Sequence, residues 1–324
     1  MKIISTLGPI SLSTEFLNVC REVKQFYLRI NGSHLSPPEL ERYLAFIHRH
    51  FALHLPPMIY LDLQGNKLRI GELPQSEEFV HHSLIEIVQA SSSDNSGILP
   101  IPYREIFFMA ERGDLLIFQD GAVKMEIVEI SDRRLRARVV VGGKLRSRCG
   151  VHLHNKPVSS LALTPEQILQ IEIARNHLVS HLALSHTHTP ADLYRLKNLC
   201  TEKNYYPRIV AKIESREALG QLEEITGVAD ELWFCRGDLG SKISLRELGA
   251  WQDKSIECAR LQGKPIIIAG EVFQSLSQNR HPFRSEVVHF YHLQKQGVDG
   301  IVLSDETALG SDPLNALKQV VALL

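Results

Sequence analysis

Short apolar runs recur along the chain, each closing on a glycine, a proline or a polar or charged residue: Lys2–Pro9, Phe26–Ser33, Met58–Gly65, His177–His186, Arg208–Ser215, Glu231–Gly240, Pro265–Glu271 and Gly300–Glu306. Most are followed by stretches of helical period, namely Ser13–Val23, Pro37–His50, Pro190–Lys203, Glu217–Thr226, Leu245–Gln262 and Pro313–Leu323. Thr189 before Pro190 and Asp312 before Pro313 are good helix starts, and Gly263 suits a C-terminal cap. Eight strand–helix units of this size predict an α/β fold, a (β/α)8 TIM barrel, whose chemistry sits at the C-terminal ends of its strands.

One interval breaks the rhythm. About 110 residues separate the third run from the fourth, far more than an ordinary strand-to-helix connection. Its middle reads as strand: Asp114–Phe118, then Asp120-Gly121 as a hairpin signal, then Val123–Ile130 and Arg134–Val141. Ser91–Gly97 is a polar loop within it. The expectation is a barrel of residues 1–70 and 156–324, with a small all-β lid domain of residues 71–155 inserted after the third strand and placed above the active rim.

Composition narrows the function. The 324 residues are 44% hydrophobic, enough for a full core. With 36 basic against 37 acidic residues there is no electrostatic case for nucleic acid or for a membrane surface. No apolar run approaches the roughly 20 residues that span a bilayer, and the chain opens on a strand-like Lys2-Ile3-Ile4-Ser5, not a secretory signal. Five scattered cysteines without a C-x-x-C pair read as reduced thiols of a cytoplasmic protein.

Chemistry concentrates at two strand ends. Lys212-Ile213-Glu214 closes one apolar run, and Arg236-Gly237-Asp238-Leu239-Gly240 closes the next, with Asp238 lying 24 residues after Glu214. On parallel neighbours these ends share one rim. Two carboxylates there suit Mg2+ or Mn2+, a hard cation that takes one or two carboxylates and completes its shell with phosphate oxygens. A lysine alongside adds a point charge where negative charge builds up. A rim salt-bridge network is the alternative. The histidines His177, His181, His186 and His188 do not make a zinc set: His177 and His181 fall at or within the fourth strand run, and no H-E-x-x-H or cysteine pair accompanies them.

These segments, together with Lys2–Pro9, Leu28–His34, Leu61–Arg69, Gly263-Lys264-Pro265 and Leu303–Ala308, resemble the pyruvate kinase family in order and spacing over essentially the whole chain. The resemblance implies a mobile lid for the insert, and the family's carboxy-terminal domain is expected to be absent. It implies Mg2+ (or Mn2+) on Glu214 and Asp238. Lys212 would neutralise the phosphoryl group in transfer and Arg29 would grip it. Phosphoenolpyruvate or a related acid would lie against Arg236, Gly237, Asp238 and Gly270, and Ser304 and Glu306 would support a proton relay. Asn31, His34 and Arg69 match positions on the side of ADP or ATP, and Asp120 matches an acidic lid residue that reaches the site on closure. A homo-oligomer is compatible with the family.

Most members hold a potassium ion near the matches of Asn31, Ser33 and Asp62, with threonine and glutamate at positions 63 and 67. Leu63 and Lys67 stand there instead, resembling the members whose lysine ammonium replaces the ion. The expectation is that potassium is not required.

Three departures cluster around the organic part of the substrate. The family's Ala-Thr-Gln after the seventh strand is Ala269-Gly270-Glu271, its Ala-Lys-Gly after the last strand is Ala308-Leu309-Gly310, and its Ser-Phe-x-Arg is Ser185-His186-Thr187-His188. Three functions fit such a chain: a phosphotransferase, a magnesium-dependent lyase or decarboxylase of a keto acid, and a ligand-binding protein with impaired catalysis.

Overall fold

In a computed structural model the eight runs form the strands of one closed, all-parallel barrel. Residues 1–324 are described except 24–25, 53–55, 66–67 and 155–162, and except the side chains of Phe26 and Asp120. The strands are β1 (Lys2–Leu7), β2 (Phe26–Asn31), β3 (Met58–Leu63), β4 (His181–Leu184), β5 (Arg208–Ile213), β6 (Glu231–Cys235), β7 (Ile266–Ala269) and β8 (Gly300–Leu303). Each pairs with its neighbour in sequence, and β8 closes onto β1. Helices return the chain between strands, so every strand's C-terminal end opens on the same rim.

The barrel interior is packed, not hollow. Ile4, Tyr60, Val210, Trp233 and Ile267 are fully buried in it. At the end away from the rim, the buried Glu231 carboxylate accepts from Lys2 Nζ (2.6 Å), Trp233 Nε1 (2.8 Å) and Tyr60 Oη (3.3 Å). His181 stacks on Tyr60 with ring centroids 4.0 Å apart.

Two barrel helices lack a clear sequence signal, Pro165–Asn176 and Arg284–Lys295. The first starts at a Thr164–Gln167 capping box. Its apolar stripe is blurred because Gln167 and Gln170 are buried, their amides donating to the loop carbonyls of Gly65 (3.0 Å) and Gly32 (2.9 Å). His177, expected at the start of a strand, caps this helix instead. Its backbone N–H completes the helical ladder to Ile173, so the chain stays helical past the point where the apolar run begins.

The chain separates into two compact units, Met1–Gly65 with Thr164–Leu324, and Asn66–Leu163. The second unit holds a six-stranded sheet in the order Val151–Leu153, Leu115–Phe118, Val123–Ser131, Arg134–Val141, Leu84–Val88 and Ile98–Pro100. A two-stranded sheet of Glu77–Phe79 and Gly143–Leu145 accompanies it. The Asp120-Gly121 turn joins an antiparallel pair, as its hairpin signal predicts. The insert is not wholly β: Arg104–Met109 is helical and buries Ile106 and Phe107 in that unit's own core.

Candidate active site

An ion network crosses five adjacent strands at the barrel rim. Thr6 (β1), Arg29 (β2) and Tyr60 (β3) share one register level, while Asp62 of β3 lies one pleat higher beside Asn31. Arg29 donates from Nη1 to Thr6 Oγ1 (3.0 Å) and from Nε and Nη2 to Asp62 Oδ2 (2.9 and 2.7 Å). Asp62 also accepts from Ser185 Oγ (2.8 Å) and from Lys212 Nζ (2.9 and 3.1 Å). Lys212 reaches Ser185 Oγ (2.7 Å) and pairs with Glu214 Oε1 (2.8 Å). Lys212 and Glu214 are two residues apart where β5 ends, so strand alternation sends both side chains to the barrel axis.

Each charge is set by its neighbours. Burial alone would depress the Lys212 ammonium, but Asp62 and Glu214 outweigh it and hold its pKa well above the ordinary lysine value. Burial would likewise raise Glu214, yet Lys212, the His186 ring and the His186 N–H (2.8 Å) keep its carboxyl well below the usual carboxylate range. Buried ion networks are expensive to assemble, which makes this cluster a functional candidate rather than a stabilising device.

A cleft opens over the network. Arg29, Lys212, Glu214, Gly237, Asp238, Gly270 and Ser304 line it, above a floor that includes Trp233 and Val302. Among the described residues no group of three or more His, Cys, Asp or Glu side chains comes together as a metal site. Glu214 and Asp238 are the carboxylates that line the cleft, and a cation there would draw its other ligands from substrate or water. That pattern fits Mg2+ and not zinc.

Other sequence candidates fall elsewhere. Arg236, whose backbone N–H is the group expected against substrate, donates its guanidinium to the Gly270 carbonyl and to His289. Glu306 is fully buried: its Oε2 accepts the Ser304 N–H (2.7 Å), and burial raises its pKa. Asn31 caps the short Gly32–His34 turn that carries Ser33, accepting the Ser33 N–H (3.2 Å). Leu63 is buried. Arg69 belongs to the inserted unit, where it donates to the Arg148 carbonyl (2.9 Å). Lys67 and the Asp120 side chain lie outside the described residues.

Sequence reasoning missed Thr6 and Ser185 as partners in the network, and it did not foresee Asp62 as its hub. The signal for Ser185 is its place just after β4; Thr6 gives none. Gly65 is fixed by the same packing: with φ +61°, a Cβ there would collide with the Ser185 carbonyl.

The family profile described as "Pyruvate kinase, barrel domain" matches residues 1–317. The chain belongs to the pyruvate kinase family. It is 30% identical over 321 residues to the pyruvate kinase of Thermotoga maritima, covering 98% of this chain and 68% of that one. It is 27% identical over 325 residues to that of Thermococcus litoralis, covering 99% and 68%. The pyruvate kinase of Buchnera aphidicola is 31% identical over 323 residues, with 96% and 66% covered. The chain thus spans about two thirds of the length of these pyruvate kinases. The crystal structure of pyruvate kinase from Pyrobaculum aerophilum superposes with a TM-score of 0.85 at 23% identity, covering all of this chain and 72% of that one, a likeness of fold. Among the described residues no helix is long and apolar enough to cross a membrane.

Proposed function

We propose that this barrel transfers a phosphoryl group between phosphoenolpyruvate, or a closely related enol phosphate, and ADP. The observation that carries this reading is the pair of cations, Arg29 and Lys212, held at one cleft by a shared carboxylate while Glu214 and Asp238 face the same space. Cations fixed before substrate arrives need no reorganisation when charge spreads over the transferred oxygens. Bound at Glu214 and Asp238, Mg2+ would supply Lewis-acid stabilisation of oxygen-centred charge.

The protein's own groups do the rest. Arg29, locked between Thr6 and Asp62, presents its guanidinium edge to the phosphate, and Lys212 neutralises it from the neighbouring strands. Phosphoenolpyruvate, ADP and one proton give pyruvate and ATP, so the product carbon must gain a proton. Ser304 lines the cleft and Glu306 sits behind it with its carboxyl pKa raised by burial, which suits a proton reserve. On the barrel, Asn31 and His34 are assigned to the nucleotide side.

Potassium independence has support in the barrel. Both Asp62 oxygens are already occupied by Arg29, Lys212 and Ser185, and the buried Leu63 has no hydroxyl to offer an ion. Lys67 supplies the replacement charge in this reading. The test is pyruvate formation from phosphoenolpyruvate and ADP with magnesium, with and without potassium, using Lys212→Met as the blank. Turnover that persists without potassium and vanishes in the variant is expected. No turnover by the wild type overturns the kinase reading; strict dependence on potassium overturns the role given to Lys67.

A further inference from the structure

His289 lies on the helix Arg284–Lys295, outside the cleft and outside every motif that carries the family resemblance. Its Nε2 is 2.7 Å from Arg236 Nη1. A guanidinium has only donors, so Nε2 must be the acceptor and the ring proton must sit on Nδ1. The other two Arg236 nitrogens, Nε and Nη2, both donate to the single Gly270 carbonyl (2.7 and 2.5 Å). With acceptors on both sides, the guanidinium plane is fixed.

What it fixes is a strained strap. Gly270 and Glu271 both have left-handed backbone, φ +87° and +55°. Such a conformation at a residue with a side chain is strained and persists only where surrounding contacts over-determine it. The strap also runs close to the second carboxylate's turn: a Cβ at Gly270 would lie 3.2 Å from the Gly237 amide nitrogen. Gly270, Gly237 and Asp238 all line the cleft.

We propose that His289 is a positioning residue: its Nε2 lone pair holds the Arg236 guanidinium against the Gly270 carbonyl and so keeps the cleft wall of Gly270, Gly237 and Asp238 in place. The imidazolium form has no lone pair and faces a permanent cation, so protonation releases the wall. Burial, Arg236 and His292 of the same helix all lower the His289 pKa, while the carboxylates Glu271 and Glu306 act electrostatically on Arg236. The neutral, accepting ring is therefore the form present at neutral pH, and the pin opens only on acidification.

Three proteins test this: wild type, His289→Ala, and His289→Gln, whose amide oxygen restores an acceptor. Amide hydrogen exchange of residues 268–272 and 236–240 is read alongside melting temperature, and steady-state kinetics across pH. For His289→Ala we expect faster exchange in both segments and a fall in kcat/KM of roughly 10–100-fold, the range for residues that orient a site from behind. His289→Gln should return exchange and kcat/KM toward wild type and shift or abolish the acid limb. Equal behaviour of the two variants overturns the proposal, as does unchanged exchange in His289→Ala. The kinetic arm rests on the kinase reading. If the wild type does not turn over phosphoenolpyruvate, that reading falls, and the exchange comparison alone still decides the role of His289.

Discussion

Replacing Lys212 with methionine should unbalance one carboxylate and spare the other. Asp62 would keep both Arg29 contacts and the Ser185 hydroxyl. Glu214 would lose its 2.8 Å partner and retain the His186 N–H and a ring nitrogen at 3.7 Å. Leaving a buried charge without its partner costs roughly 3–5 kcal/mol. Glu214 has a less costly route, which is to take up a proton. From an ordinary carboxyl pKa of 4.5 that costs about 3.4 kcal/mol at pH 7 and about 0.7 kcal/mol at pH 5, at 1.36 kcal/mol per pH unit. The deficit should therefore be near 3 kcal/mol at pH 7 and shrink to about 1 kcal/mol at pH 5. The sign follows from proton counts. In the variant the folded Glu214 pKa lies above its unfolded value, the native state binds the extra proton, and stability falls as pH rises. Wild-type Glu214, held well below the usual range, gives no such slope between pH 5 and 7. Urea unfolding at both pH values, followed by tryptophan fluorescence, measures this, because Trp233 and Trp251 both belong to the barrel unit. A deficit below about 1 kcal/mol at pH 7, or one that does not shrink on acidification, would refute the pairing.

Asp238→Asn should weaken Mg2+ binding about tenfold or more in Kd if the proposed cation site is right, since one of the two carboxylates lining the cleft among the described residues is lost; calorimetry showing wild-type affinity would remove Asp238 from the proposed ligands. Burial, Lys2 and Arg208 lower the His181 pKa to about 3. The unfolded chain then binds the extra proton below pH 6.5, and stability falls as pH falls through the window from 6.5 to 3. Between pH 6.5 and 5 the wild type should lose about 2 kcal/mol from this group, at 1.36 kcal/mol per unit. His181→Phe, still able to stack on Tyr60, should lack that part of the slope; identical acid limbs in the two proteins would show that His181 does not titrate as described.

The barrel was legible because its strands are apolar on both faces and end in rim residues, while most helices carry a one-sided stripe and a cap. The helix Pro165–Asn176 escaped because its buried face spends two glutamines on loop carbonyls, a demand that exists only once Gly32 and Gly65 have been brought to it. The inserted unit announced itself by length and by Asp120-Gly121, but Arg104–Met109 is too short for its period to stand out as helix.

The candidate site divides the same way. Lys212, Glu214 and Asp238 could be picked from the chain because strand ends share a rim, and residue type at a strand end follows from local sequence alone; Arg29 entered only through the family resemblance. That Asp62 is the hub, that Thr6 and Ser185 complete it, and that the Arg236 guanidinium meets His289 were decided by tertiary structure. Those contacts join residues 23 to 150 positions apart. Their partners are chosen by the register of neighbouring strands and by which acceptor lies within about 3 Å. Local sequence specifies the groups the rim can offer, and closure of the barrel determines which of them meet.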